Sequence, residues 1–167
     1  STAMGDGSKA IGSFSLATGQ NTTASGFAST AMGEQTIASG EYSTALGDYT
    51  IASNWFATAM GQETKASGGT STAVGYKSIA SGQTSTAMGD STVASGLNST
   101  SMGSRTYATA SNSTAMGKGC VASGITSFAS GYYSNALGEG STAMGYQTGA
   151  LGFGSTCIGT GSVAFGD

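Results

Sequence analysis

The sequence contains no proline and no histidine, only two cysteines, and 13 charged side chains in 167 residues. Without proline it is not collagen, which needs glycine at every third position with abundant proline. Without histidine, a serine or cysteine nucleophile has no imidazole base, so acyl-transfer triads of the usual kind are excluded and no enzyme activity is expected. Five lysines and arginines scattered along the chain cannot make the basic stripe that neutralises phosphates, so no nucleic acid partner is expected. No run of about 18 apolar residues is present to span a bilayer, and no membrane contact by this segment is expected. Ser1 to Gly5 carries neither the basic nor the apolar part of an export signal. The chain opens inside a repeat and reads as a fragment of something longer.

Small residues fill the space. Glycine, alanine, serine and threonine (29, 25, 28 and 24 residues) make up 106 of 167 positions. Large apolar side chains are therefore too few for a conventional compact core.

Cut every seven residues from Ser1, the sequence falls into 24 blocks with no insertion or deletion. Position one is Ser or Thr in 22 blocks (not Ala57 and Cys120), position three Ala in 22 (not Ser101 and Cys157), and position five Gly in 22 (not Asn54 and Ala110). Such regularity is read before anything else. A heptad might signal a coiled coil, but glycine in nearly every block costs about 1 kcal/mol each in a helix, which excludes it. Flexible linkers do not hold register over this many copies. The pattern predicts stacked short strands over positions one to five, with the odd positions inward and a turn at positions six and seven. Those two turn positions hold 11 of the 13 charged residues and 11 of the 14 aromatics.

Alternate blocks differ, as in Ser85 to Gly89 (STAMG) followed by Thr92 to Gly96 (TVASG). The true unit is a 14-residue coil of two strands. Twelve coils stacked at the spacing of hydrogen-bonded strands make a rod about 57 Å long. In the first strand of each coil, position four reads Met4, Met32, Leu46, Met60, Val74, Met88, Met102, Met116, Met144 and Ile158, interrupted by Thr18 and Ser130. All seven methionines stand in that column. The interior is already filled by small residues, so this stripe has to find burial outside its own chain, and at roughly 2 kcal/mol per side chain it predicts an obligate parallel homo-oligomer. The candidate interface is Met32, Leu46, Met60, Val74, Met88, Met102, Met116, Met144 and Ile158. In second strands the polarity is swapped, with Ser at position four and Ile37, Ile51, Ile79, Val93 and Val121 at position two; Lys65 and Tyr107 in that column predict that part of it meets water.

These repeats, Ser-Thr-Ala-Met-Gly alternating with Thr-Ile-Ala-Ser-Gly, strongly resemble the YadA-like head of trimeric autotransporter adhesins over the whole chain, taken as a single domain of residues 1–167. The resemblance implies a left-handed parallel β-roll of about twelve coils and a homotrimer. It also implies a place on the cell surface of a Gram-negative bacterium, anchored in the outer membrane by a C-terminal region absent here. The implied function is attachment to host extracellular matrix proteins such as collagen or fibronectin, or to host cells. A structural spacer that projects another binding domain is the alternative. Ice binding is a third reading, weakened because the Thr column is flanked by Met rather than by a second rank of Thr.

Several positions depart from the pattern. Leu16-Ala17-Thr18 and Phe128-Ala129-Ser130 stand where Thr-Ala-Met is due, and predict irregular coils or end regions. Asn54 is read as tolerating the positive φ of a turn glycine, and Ala110 as forcing a local distortion. No cofactor or metal is expected: Asp6, Asp48 and Asp90 lie three coils apart and form no acidic ladder. Cys120 and Cys157, about 12 Å apart along the stack, are too distant for a disulfide within the chain and are read as buried free thiols. Phe14, Phe27, Tyr42, Trp55 and Phe56 line the second-strand turns of four successive coils. They are either a contact surface or rings packed on one another or on a neighbouring chain. Trp55, Phe56, Tyr132 and Tyr133 are the candidate ligand contacts. Asn-x-Ser/Thr triplets at Asn21, Asn98 and Asn112 arise freely in such a sequence and are assigned no role.

Overall fold

The computed structural model describes residues 1–166. Among them there is no helix; 24 short strands form two twelve-stranded parallel sheets, the first strands of all coils in one and the second strands in the other. Every pairing joins residues fourteen apart, for example Thr86 with Thr100 and Ile79 with Val93. The protein is an all-β parallel solenoid of twelve coils. The two coils expected to be irregular are regular: Leu16–Gln20 and Phe128–Tyr132 are five-residue strands in the same register as their neighbours. Their position-two and position-four side chains point outward, where the stack does not dictate size.

The strands differ in length from the sequence reading. First strands run over positions two to six, as in Thr86–Asp90, whereas second strands have two residues, as in Val93–Ala94. Position seven bends the chain in both turns. Its non-glycine occupants have φ between 49° and 60°, a conformation costly for residues with a Cβ. The bend aims each position-seven N–H at the carbonyl of position six in the preceding coil, as in Lys77 N–H to Gln62 (2.9 Å) and Thr84 N–H to Gly69 (2.8 Å). The turns are thus hydrogen-bonded ladders themselves, with the position-seven N–H and the position-six carbonyl satisfied without water.

The fifth-position glycines serve two purposes, and this corrects the reading of Asn54 and Ala110. In first strands the glycine has a positive φ, 130° at Gly89. In second strands up to Gly152 it does not, Gly166 of the last coil being the exception at 72°, and neither Asn54 nor Ala110 has one. What excludes a side chain there is the next coil: a Cβ on Gly40 or Gly96 would strike the carbonyl of Asn54 or Ala110. Most second-strand alanine carbonyls accept two N–H groups, as Ala80 does from Ser67 (2.9 Å) and Gly68 (3.3 Å). At Ala66 and Ala122 only the bonds from Ser53 and Thr109 form, because the Cβ of Asn54 and Ala110 holds the next N–H away. Asn54 compensates by donating its Nδ2 to the Ser67 carbonyl at 3.1 Å.

Among the described residues, the buried apolar side chains are alanines and the two cysteines, both free. Position-one hydroxyls fill the remaining interior. In most first strands they close the preceding turn, as in Ser85 Oγ to the Gly82 carbonyl at 2.7 Å, while the hydroxyls of Ser99, Ser127 and Ser141 have no partner among the described residues. In second strands a serine donates to the carbonyl of a first-strand glycine (Ser78 to Gly89, 3.0 Å), and a threonine one coil later donates to that serine (Thr92 to Ser78, 2.9 Å). Where threonine follows threonine, at Thr36, Thr50 and Thr64, the hydroxyl has no partner among the described residues. Thr106 also follows a threonine but meets Ser101 at 2.8 Å, so the serine that replaces the usual alanine supplies the missing partner. Ser101→Ala is expected to cost about 1–3 kcal/mol by orphaning Thr106, while Thr50→Val gains about 1 kcal/mol. Urea denaturation of the two variants checks both signs.

Candidate functional site

Strand alternation sends positions two and four of each first strand outward, so parallel stacking in register turns them into two columns. Met32, Met60, Met88, Met116 and Met144 are each 38–41% exposed, flanked above and below by the neighbouring coils with the outer side uncovered. Leu46, Val74 and Met102 are half-buried in the same column, and Ile158 is more exposed in the final coil. From Met32 to Met116 the column is unbroken over seven coils, about 29 Å; Ser130 then separates Met116 from Met144 and Ile158. Of the nine candidate interface residues, the fold therefore groups seven into one ladder and sets two beyond a gap.

The aromatic edge is a chain of ring contacts. Phe14 meets Phe27 edge-on (5.5 Å), Phe27 meets Tyr42 (5.5 Å), and Tyr42 stacks on Phe56 (4.9 Å, 7° between planes). Trp55 stands edge-on to Phe56 (5.7 Å) and lies over Gly69, where a Cβ would be 2.7 Å from the indole. Trp55 and Phe56 stay about half exposed, as do Tyr132 and Tyr133. Tyr132 and Tyr133 meet edge-on at 4.7 Å, and Tyr132 stacks on Tyr146 at 5.1 Å. Tyr132, Tyr133 and Tyr146, all in first-strand turns, thus form one cluster, with the Lys118 ammonium 5.4 Å from the Tyr132 ring. The two pairs of candidate ligand contacts thus lie in separate patches, one in the fourth coil and one in the tenth.

Charge is sparse around both patches. Lys77 pairs with Glu63 at 3.6 Å; a hydrogen bond with Tyr76, aided by the Glu63 charge, raises its pKa. Burial raises that of the Cys120 thiol, which donates to the Gly131 carbonyl at 3.3 Å, so it stays protonated and unreactive at neutral pH. Among the described residues no three His, Cys, Asp or Glu side chains gather to hold a metal.

The model of the YadA head domain repeat (2 copies) matches residues 1–22, 24–50, 56–78, 80–106, 94–119 and 122–148. The chain belongs to the YadA head family. Comparison with curated proteins gives no match. Membership places this YadA head among cell-surface autotransporter adhesins, a family that is adhesive rather than enzymatic and self-associates as trimers. The fold of a YadA head puts the methionine ladder on one sheet and the ring clusters at the turns, so assembly and recognition have separate surfaces available.

Proposed function

We propose that this chain is the adhesive head of a trimeric surface protein, attaching a Gram-negative bacterium to host matrix proteins such as collagen or fibronectin, or to host cells. The unbroken apolar ladder from Met32 to Met116 carries the reading: three chains that cover these ladders leave the turns facing outward. Each turn patch is then present three times on a stiff rod, and weak contacts multiply through avidity. Half-exposed rings at Trp55 and Phe56, held by their neighbours, supply large contact area at little entropic cost.

Solid-phase binding of the head to collagen, fibronectin and laminin is the test. Trp55→Ala with Phe56→Ala is expected to lower binding at least about tenfold with the trimer intact. Unchanged binding with a weakened trimer assigns the rings to assembly instead. The stacking of Phe14, Phe27, Tyr42 and Phe56 on one another favours a second reading, a spacer rod stiffened along its edge. A head that binds none of the three proteins supports the spacer.

A further inference from the structure

Position two of the second strands forms an outward column of Ile, Val and longer side chains that breaks once. Gly149 stands in register between Asn135 and Val163 and contributes no side chain. The gap is a notch of about 430 Å³ bounded by Tyr133, Asn135, Gln147, Leu151 and Val163, within the range of small-molecule sites. We propose that it seats one pyranose unit of a glycan, a ligand class separate from the matrix proteins above.

Three observations select that chemistry. No charged side chain lines the notch. The amides of Asn135 and Gln147 have no hydrogen-bond partner among the described residues, so both are free to receive a ligand, whereas Gln35, Gln62 and Asn98 are tied to Tyr49, Asp48 and Asn112 of an adjacent coil. The turn amides of Gln20, Asn21 and Gln83 are free in the same way, and what sets Asn135 and Gln147 apart is that they face one notch. An amide donates and accepts at once, matching hydroxyls that do the same. Backbone groups offer a peptide little here, because the N–H groups of Asn135, Gln147, Gly149 and Leu151 are committed to adjacent coils, which leaves that of Val163 alone. That leaves a ring with polar hydroxyls and apolar C–H faces, the latter fitted to Leu151, Val163 and the Tyr133 ring.

The site is preorganised and faces water. Tyr133 lies over Gly119, where a Cβ would be 2.6 Å from its ring, and is braced by Tyr132. In the same column Lys65 is exposed and forms no ion pair among the described residues, which favours this sheet over the methionine sheet as the one left to solvent.

Gly149 makes the test clean. Its φ is not positive, and the atoms nearest a Cβ there would be Val163 and Leu151 methyl carbons at 3.7–3.8 Å, ordinary contact. Gly149→Ile is therefore expected to restore the column and fill the notch, and circular dichroism and Tm check that the fold is retained. Amide NMR spectra of the assembled protein are recorded with methyl β-galactopyranoside, methyl β-glucopyranoside and N-acetylglucosamine at millimolar concentration. At least one sugar is expected to shift signals confined to the notch, with affinity reduced more than about tenfold in Gly149→Ile and also weakened in Gln147→Ala. Silence with all three sugars, or shifts that persist in Gly149→Ile, overturns the proposal. Matrix-protein binding at Trp55 and Phe56 is measured separately, so the two readings fail independently.

Discussion

Replacing Met60 and Met88 together by aspartate is expected to abolish assembly while the solenoid itself still forms. Both side chains lie outside the alanine core and are more than a third exposed in the single chain, so the coil does not need them for its own packing. In the proposed trimer each is covered, and each loses roughly 2 kcal/mol of apolar burial on replacement. The new carboxylates must also be desolvated with no cation placed to receive them. A loss of about 4 kcal/mol per chain weakens association on the order of a thousandfold before that second penalty is counted. Sedimentation velocity at micromolar concentration is expected to show single chains with an intact β spectrum. Thr18 and Ser130 already interrupt the column, so Thr18→Asp is the control: at that position assembly is expected to change far less.

Gly89→Ala is the second large effect, and it acts within the chain. Gly89 has φ of 130°, a region closed to side-chain-bearing residues, and its Cβ would strike the Gly103 carbonyl of the next coil. Backbone strain costs about 1–3 kcal/mol, and forcing two coils apart adds a similar amount. A total of about 3–5 kcal/mol is expected, read by urea denaturation. Because each coil touches only its neighbours, damage is expected to concentrate near the seventh coil and to appear as a new cleavage site in limited proteolysis. Gly149→Ala, with a permitted φ and its Cβ at ordinary contact distance from Val163 and Leu151, is expected to cost almost nothing. Equal losses at the two positions would contradict the explanation of why first-strand glycines recur.

Much of this architecture was legible because the coil is so narrow. A parallel stack repeats every environment, so Ala at position three, Ser or Thr at position one and Met at position four announce the interior and the exposed column by recurrence alone. The purpose of the glycines was only half legible. Gly12 and Gly89 look alike in sequence, but one avoids a close carbonyl and the other also adopts a left-handed φ. Second strands of two residues were hidden because their flanking Ser and Gly also suit a longer strand. The Ser101–Thr106 bond was missed because it crosses between sheets, although a Ser in place of Ala in the coil of a threonine that follows Thr92 is a usable signal. Gly149 is hard to single out among 29 glycines, yet it interrupts the position-two column, and interruption is what creates a notch. Tyr132, Tyr133 and Tyr146 come together because positions fourteen apart are neighbours, the same period that aligns the methionines.

Sedimentation equilibrium of the unmodified protein at nanomolar concentration, with circular dichroism on the same sample, bears most directly on the claim that the methionine ladder makes each subunit dependent on its partners. The expected species has three times the 16.1 kDa chain mass and persists on dilution, any single chains appearing only with loss of the β spectrum. A stable, fully folded 16.1 kDa single chain would contradict it.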